Sequence, residues 1–516
     1  MSIGRATATV GGLTALSRVA GFARDLLIAA ALGAGPVADA FFVSLKLANL
    51  LRRLFAEGAF NAAFVPLYSR LGEGEGGTRA RRFAGEVMAA LTLALLVVVL
   101  LGELTMPWLV RLLASGFPPQ SLQYRLAVEL GRLTFPYLLF ISLAALVGGV
   151  LQAGHRFAAA SFAPVLLNLV LIAILLVSLA EGEAAARLLA AGVTLAGLVQ
   201  LAWVGLAAAR AGMVPLPALP RLSPEMRRLL VLTAPGILGI GIVQLNLLLG
   251  SWFATHLAAG TVAYLFYADR LVQLPLGIVG VALGTALLPT LSRAVRQGEA
   301  AHDVLNRAIE LALLLGLPAA AGLFLLAEPI ITVLFQRGAF GPEAARATGQ
   351  VLAGLALGIP AHVLGKVLAP GFYASEDTRT PVRIAAMALV VNGAAAALLI
   401  GPLAHVGVAL AIALSSWANA LGLAWLLWRK RVLVPDAGLR RRGGAILAAA
   451  AAMAAVLALG RSLGHTGAGP VALASLIALG GGSFFLAAWA AGAIDATALR
   501  RLWVRPALDG GVDPVP

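Results

Sequence analysis

Apolar runs recur along the whole chain and constrain its fold more than any other feature. Each run is about 20 residues long, the length at which an α-helix spans the hydrocarbon core of a bilayer. Of the 516 residues, 60% are hydrophobic and 12% are charged, whereas soluble proteins carry about 25% charged residues. Since this leaves too little polar surface for several globular domains, the sequence predicts an all-α polytopic membrane protein.

The apolar runs predict fourteen transmembrane helices, several of them long enough to tilt, kink or protrude from the bilayer. Their approximate bounds are 7–33, 38–68, 83–113, 122–152, 158–180, 185–209, 228–256, 260–292, 308–334, 343–374, 382–402, 404–428, 443–460 and 470–492. If the N-terminus is cytoplasmic, 24 of the 38 Lys and Arg residues fall in inside segments and 6 in outside segments. This asymmetry follows the positive-inside rule and predicts that both termini are cytoplasmic.

A weak internal repeat divides the chain. Leu32–Gly35 resembles Leu257–Gly260 at an offset of 225, and Pro66 corresponds to Pro289 at an offset of 223. The matched positions are six spans apart, so the two halves share one orientation, as in a parallel repeat. We therefore expect two six-helix lobes followed by two further helices. The predicted boundaries are an N-lobe over 1–210, a cytoplasmic linker over 211–227, a C-lobe over 228–430, and the last two helices with a tail over 431–516.

Ionisable residues at membrane depth concentrate in the first two spans. Such residues cost about 2.5–3.5 kcal/mol each at the centre of a bilayer and usually line a cavity. In the first span Ser17, Arg18, Arg24 and Asp25 share one broad helical face, because seven residues separate Ser17 from Arg24 and Arg18 from Asp25. Gly21 lies between them and keeps that face open to a ligand.

The second span carries a polar stripe at helical spacing. Its members are Lys46, Asn49, Arg53 and Glu57, with Arg52 beside them. Asp39 precedes this stripe, and the eighth span adds Asp269 and Arg270. Stripes of this kind must turn away from lipid, so we expect them to face a cavity or one another.

Two interpretations of these charges compete. In the structural one, Arg53 pairs with Glu57, Arg18 pairs with Asp25, and arginines at helix ends extend to the interface. In the functional one, Arg18, Arg24, Arg52 and Arg270 are surplus positive charge directed at an anionic substrate. The planar fork of arginine donates two hydrogen bonds at once, so converging arginines favour a diphosphate.

Other candidate sites are weaker. His362 and Lys366, one turn apart in the tenth span, fit a satisfied core pair better than a proton relay. Cysteine is absent and the six histidines lack metal-ligand spacing, so we expect no disulfide, thiolate chemistry, metal or cofactor. The net charge of +15 is explained by cytoplasmic Lys and Arg rather than by a nucleic-acid partner.

Three motifs resemble the MurJ (MviN) family of lipid II flippases, within the multidrug/oligosaccharidyl-lipid/polysaccharide exporter superfamily. The first is Ser17–Asp25 (SRVAGFARD), and the second is residues 38–66 (ADAFFVSLKLANLLRRLFAEGAFNAAFVP). The third is Tyr267–Leu271 with Leu274–Pro275 and the run GVALGTALLP at 280–289. The likeness extends over the whole chain. Drug-extruding members of the superfamily lack the Arg-rich opening, so the first two motifs are specific.

The resemblance implies a function in peptidoglycan biosynthesis without catalysis. The protein is expected to flip lipid II, the undecaprenyl-diphosphate-linked disaccharide-pentapeptide, from the cytoplasmic to the periplasmic leaflet of the inner membrane by alternating access. The implied substrate-binding residues are Arg18, Arg24, Arg52 and Arg270, with Ser17, Asp25, Asp39, Asn49, Arg53 and Glu57 in support. Spans 13 and 14 would hold the lipid tail in a groove. The implied partners are lipid II, membrane lipids, a coupling ion or the membrane potential, and the cell-wall synthesis machinery, with the protein itself a monomer.

Two positions depart from the family pattern. Ala48 stands where a family Pro is expected, and Gln273 stands where some relatives carry Glu. Rival functions are a flippase for another undecaprenyl-linked glycan, a drug exporter of the same superfamily, a scaffold, and a membrane-embedded glycosyltransferase. A drug exporter would show acidic residues in its cavity. A glycosyltransferase would need a catalytic carboxylate, for which Glu181, Glu183 and Glu343 have no supporting motif.

Overall fold

A computed structural model describes residues 3–55, 59–72, 77–297, 301–463 and 469–494 of the chain. Within these ranges the regular structure is helical and contains no β-strand, which confirms the predicted all-α class. The helices are α1 (Ile3–Leu32), α2 (Pro36–Phe55), α3 (Ala59–Gly72), α4 (Thr78–Leu113), α5 (Leu122–Thr134), α6 (Tyr137–Ala153), α7 (Phe157–Ser178), α8 (Gly182–Arg210), α9 (Pro224–Thr255), α10 (Thr261–Gln297), α11 (Ala301–Leu325), α12 (Ala327–Phe335), α13 (Pro342–Ala356), α14 (Ile359–Tyr373), α15 (Arg379–Arg429), α16 (Ala437–Ser462) and α17 (Pro470–Ala490).

Nine helical stretches in the described ranges are long and apolar enough to cross a membrane. The count of fourteen spans stays a prediction. Several predicted spans contain a break: 122–152 corresponds to α5 and α6, and 343–374 corresponds to α13 and α14. Pro136 lies in the first of these breaks, where its ring and missing N–H disfavour a continuous helix.

The predicted spans 382–402 and 404–428 are the two halves of α15. Ala404 lies between them with φ 46° and ψ −125°, which is not a helical conformation. Ser415 Oγ donates a hydrogen bond to Ala388 O at 2.7 Å, and Lys430 Nζ donates to Asp377 Oδ2 at 2.7 Å. Each pair joins a residue before Ala404 to one after it, and the second pair is farther from Ala404 on both sides, so the halves are antiparallel and the chain reverses there.

The chain divides into two compact units. The first contains Met1–Leu271, Ile331–Leu355 and Ala385–Ser415, and the second contains Val272–Ile330, Ala356–Ile384 and Ser416–Pro516. In the first unit α1 packs on α7, α2 on α5, and α6 on α8; in the second, α11 packs on α14 and α16, and α16 on α17. The division into an N-lobe, a linker, a C-lobe and two further helices stays a prediction.

Helix α4 presents an apolar stripe on its outer face. Leu93, Leu96, Leu100 and Leu104 recur at helical spacing and are all exposed. The Arg111 guanidinium lies 5.6 Å from the ring centroid of Trp108, near the end of the same helix. An exposed stripe of leucines that ends in an amphipathic Trp is typical of a surface in contact with lipid.

Two turns of the first unit meet through their backbones. Ala339 N donates a hydrogen bond to Ala30 O at 2.8 Å. Gly33 has φ 65°, and a Cβ placed on it would lie 2.5 Å from Ala339 O. Gly338, with φ 56°, approaches Ala30 O in the same way. We call Ala30, Gly33, Gly338 and Ala339 the turn seam.

Beneath the turn seam, an aromatic cluster fixes the start of α10. Tyr267 is fully buried, and its hydroxyl donates to Gly33 O at 3.0 Å. Its ring contacts those of Phe42, Phe335 and Phe340 at centroid distances of 5.3–5.4 Å. Because Arg270 follows Tyr267 by about one helical turn, this packing sets where Arg270 emerges from α10.

Candidate functional site

Asp25 joins two arginines from different helices. On α1, Arg24 donates from Nη2 at 2.6 Å and from Nε at 3.0 Å to Asp25 Oδ1. On α10, Arg270 Nε lies 3.2 Å from Asp25 Oδ2. This distance makes an ion pair, but the geometry is not that of a hydrogen bond, and the buried Arg270 Nε has no hydrogen-bond acceptor among the described residues. Asp25 itself is 1% exposed.

Asn168 of α7 completes this cluster. Its Oδ1 accepts a hydrogen bond from Arg24 Nη1 at 2.9 Å, and its Nδ2 donates to Ser17 O at 2.9 Å. Gly21 permits the approach, since a Cβ there would lie 3.5 Å from Asn168 Nδ2. The Arg24 guanidinium is therefore held by a carboxylate on one side and an amide on the other.

Arg270 has a second contact besides Asp25. Its guanidinium carbon lies 4.5 Å from the ring centroid of Phe266, and Phe266 stacks on Phe42 at 3.8 Å. The Arg270 side chain remains 34% exposed. The stacked ring holds one face of the guanidinium and leaves its outer edge accessible to a ligand.

The polar stripe of α2 forms separate contacts. Arg52 Nε donates to Asn49 Oδ1 at 3.2 Å on the same helix. Arg53 Nη1 donates to Gln244 Oε1 of α9 at 3.3 Å. Glu57, the predicted partner of Arg53, lies outside the described residues.

Lys46, in the same stripe, hydrogen-bonds Ser251 Oγ of α9. The stripe thus contacts α9 at two levels, through Lys46 and through Arg53.

Asp39 lies at the start of α10 rather than beside the arginines. It is 1% exposed, and its carboxylate accepts hydrogen bonds from Gly260 N at 2.6 Å and Ala263 N at 2.9 Å. These bonds satisfy amide groups of the first turn of α10, which would otherwise lack acceptors. Asp39 therefore caps α10 and does not lie with the arginines as the resemblance implies.

Arg18 is exposed on α1 and forms no hydrogen bond or ion pair within the described part of the chain. Its suggested pairing with Asp25 does not occur, since Asp25 contacts Arg24 and Arg270 instead. Seven helical residues span about 10.5 Å, which separates Arg18 from Asp25. Ser17 is partly buried and contributes its carbonyl oxygen.

The structure thus brings together Ser17, Arg24, Asp25 and Arg270. Arg52 with Asn49, Arg53 and Asp39 form other contacts, and Arg18 has no hydrogen bond or ion pair in the described ranges. Two guanidinium groups share one carboxylate, so the Arg24–Asp25–Arg270 cluster has one surplus positive charge. Such an arrangement can bind a phosphate through bidentate hydrogen bonds. Among the described residues no group of three His, Asp or Glu side chains is placed to hold a metal.

Sequence reasoning did not assign four contributors to these contacts. They are Asn168, Phe266, Gln244 and Ser251. No motif links α7 to α1, so the contacts of Asn168 with Arg24 and Ser17 do not follow from the sequence. The contact of Phe266 with Arg270 could have been predicted, because the two residues are four apart on one helix, a spacing that brings side chains together.

A family model described as "Lipid II flippase MurJ" matches residues 28–480 of this chain. A probable lipid II flippase MurJ of Rhizobium meliloti (strain 1021) is 46% identical over 464 residues, which cover 89% of this chain and 86% of the relative. The corresponding protein of Rhizobium tropici is 42% identical over 520 residues, which cover 97% of this chain and 96% of the relative.

Solved structures share the fold. A lipid II flippase MurJ in an inward closed conformation superposes with a TM-score of 0.77 at 22% identity, covering 96% of this chain and 99% of that one. An inward-facing multidrug resistance MATE transporter of the MOP superfamily gives a TM-score of 0.68 at 15% identity, covering 81% and 94%. From the family match and the identity to its relatives, this chain belongs to the lipid II flippase MurJ family.

Proposed function

We propose that the protein moves lipid II from the cytoplasmic to the periplasmic leaflet of the bacterial inner membrane. The observation that best supports a diphosphate cargo is the Arg24–Asp25–Arg270 cluster, in which two guanidinium groups share one carboxylate. An unbalanced positive charge at membrane depth is energetically costly. Such residues are therefore typical of substrate pathways. The names of the Rhizobium relatives supply the identity of the cargo.

The two arginines of this cluster have different roles in the proposed binding step. Arg24 donates three hydrogen bonds to Asp25 and Asn168, which holds its guanidinium in one orientation before the cargo arrives. Arg270 is the more exposed of the two, and its outer nitrogens donate to the phosphate oxygens. Arg18 and Arg52 add positive charge and contact the sugars or the second phosphate.

Transport then follows by alternating access. The two lobes move about the bound headgroup, and the cargo is carried without chemical change, so no catalytic residue or cofactor is required. The undecaprenyl tail stays in the bilayer along α16 and α17, where Leu479 and Leu486 are exposed. Binding weakens on the outer side through a coupling ion or the membrane potential, which is worth about 2.3 kcal/mol per charge moved through 100 mV. Both termini lie in the cytoplasm, and one copy of the chain is sufficient.

A complementation experiment tests this proposal. The native lipid II flippase of a bacterium is depleted, and growth is measured with this chain or with Arg18→Ala, Arg24→Ala, Arg52→Ala or Arg270→Ala at matched membrane levels. Arg125→Ala serves as the control, because Arg125 is exposed on α5 and does not belong to the cluster. We expect rescue by the wild type and the control, and at least a tenfold lower plating efficiency for Arg24→Ala and Arg270→Ala.

The possible outcomes distinguish an error in the identity of the cargo from an error in the proposed binding site. Rescue by the wild type and by all four arginine variants would leave the cargo standing and refute the cationic binding site. A well-inserted wild type that fails to rescue growth would point to another undecaprenyl-linked glycan, which a flipping assay with purified protein then identifies.

A further inference from the structure

A second polar face lies in the second unit, on α14 and the C-terminal half of α15. His362 and Lys366 are one turn apart on α14, and Ser416 and Asn419 are one turn apart on α15. Ser416 Oγ lies 3.5 Å from His362 Nδ1. We call these four residues the α14–α15 polar face.

Small residues let the two helices approach along this face. A Cβ placed on Gly365 would lie 3.1 Å from Asn419 Nδ2. About two turns further along α14 and three along α15, Lys430 Nζ lies 5.3 Å from the ring centroid of Phe372. These contacts advance in the same direction on both helices, so α14 and the C-terminal half of α15 are parallel, and the four polar side chains form one patch.

The patch is accessible although it lies within an apolar stretch. His362 and Lys366 are exposed, whereas Val363 and Val367 on the same helix are buried. They belong to Pro342–Tyr373, a stretch long and apolar enough to cross a membrane. Neither side chain is buried, so the expectation that the two residues lie in the core is wrong. Exposed ionisable groups within such a stretch face a water-filled space or a ligand rather than lipid.

The chemistry of this face differs from that of the arginine cluster. Only three of the 38 Lys and Arg residues are lysines: Lys46, Lys366 and Lys430. Arginine forks suit a diphosphate, whereas an ammonium is a compact point charge. One ammonium on the same face as an imidazole, a hydroxyl and an amide matches a singly charged carboxylate flanked by peptide groups. An ammonium has three donors, so contacts with protein leave capacity for a ligand.

We propose that the α14–α15 polar face binds a carboxylate of the peptide carried by the lipid-linked cargo. This inference rests on the proposed function, because lipid II bears a pentapeptide in addition to its diphosphate. The chemistry of Lys366 suits the peptide, which is the part that distinguishes lipid II from other undecaprenyl-diphosphate lipids. Lys366 is a specificity-determining residue.

Binding to purified full-length protein in nanodiscs tests the assignment. Two probes are compared: lipid II with free peptide carboxylates, and the same lipid with those carboxylates amidated. We expect Lys366→Gln to weaken binding of the free-carboxylate lipid about tenfold, or about 1.4 kcal/mol, and to leave the amidated lipid unchanged. Lys366→Arg should restore most of the loss. Arg24→Ala should weaken both lipids equally, and Arg125→Ala, exposed on α5 and outside the face, should weaken neither.

Three results would overturn the assignment. If Lys366→Gln binds both lipids as the wild type does, the face is not a binding site, while the proposed function stands. If it weakens both lipids equally, Lys366 acts on the common headgroup or on the fold. If the wild type binds neither lipid, the proposed function fails, and this inference fails with it.

Discussion

Asp25 is a single carboxylate on which the positions of two cationic side chains depend. Arg24 and Arg270 reach it from α1 and α10, and it is almost fully buried. Without a negative charge between them, the two guanidinium groups would repel one another in a poorly solvated place. Removing one partner of a buried ion pair costs about 3–5 kcal/mol for this reason.

We therefore predict that Asp25→Asn abolishes rescue in the depletion strain. The amide keeps the shape of the side chain but removes the charge, so Arg270 loses its ion pair and the site loses its geometry. At least a tenfold lower plating efficiency is expected, together with a lower apparent Tm of the purified protein. Glu183→Gln is the control, since Glu183 pairs with Arg187 in an exposed position on α8. Wild-type growth of Asp25→Asn would contradict the prediction.

The charges of this site were predictable from sequence, and their partners were not. Arg24, Asp25 and Arg270 are identified because ionisable residues are rare at membrane depth. The hydrogen bonds of Asn168 to Arg24 and Ser17 depend on which face of α7 packs against α1. Helical spacing within one segment does not determine how two helices pack. Asp39 is a second example. Its charge is evident from the sequence, but the structure shows that it caps α10 although it lies in the first turn of α2.

At the scale of the elements, α15 is interrupted at Ala404, and a hydrogen-bonded contact joins the two ends of the helix. Asp377 accepts hydrogen bonds from Lys430 Nζ at 2.7 Å, Thr380 Oγ1 at 2.7 Å and Thr380 N at 3.0 Å. It thereby joins the start of α15 to its end. These bonds hold the pKa of the Asp377 carboxyl well below its ordinary value of 3.8, and the bond from Lys430 has the largest effect.

This lowered pKa predicts a pH dependence. A carboxylate with a depressed pKa stabilises the folded state above its ordinary pKa, and that stabilisation is lost as the pH falls toward the folded-state pKa. Asp377→Asn should lower the apparent Tm by a similar amount from pH 8 to pH 5, and the difference from wild type should narrow below pH 3.8. Thermal unfolding in detergent across this range measures it. A difference that is constant down to pH 3 would exclude the ionised carboxylate as the cause.

Across the molecule, the two segments matched in the sequence repeat both lie in the first unit, and each precedes a helix. Leu32–Gly35 leads into α2, and Leu257–Gly260 leads into α10. The two turns touch, since a Cβ on Gly260 would lie 2.6 Å from Ala34 O. The helical class and the family were predictable from apolar runs and motifs. Contacts between turns were not, because they depend on backbone conformation at single glycines.

Gly33 provides the test at this scale. An L-residue in the left-handed region costs about 1–2 kcal/mol, and the added Cβ would also press on Ala339 O. We expect Gly33→Ala to lower the free energy of unfolding by at least about 1 kcal/mol and to reduce rescue. Gly35→Ala is the matched control two residues away, where a Cβ would meet nothing within 4 Å. Equal apparent Tm values for the two variants would rule out the close approach as a constraint.

The turn seam also differs from the arginine cluster in its response to salt. Ala30, Gly33, Gly338 and Ala339 meet through peptide groups and carry no ionisable side chain. Dissolved ions screen interactions between accessible charges and have little to act on in such a contact. Raising the ionic strength should therefore weaken the proposed binding of an anionic ligand by Arg270 and leave the contacts of the turn seam unchanged. We therefore expect salt to lower the affinity of the proposed site for its ligand without loosening the packing of these two turns.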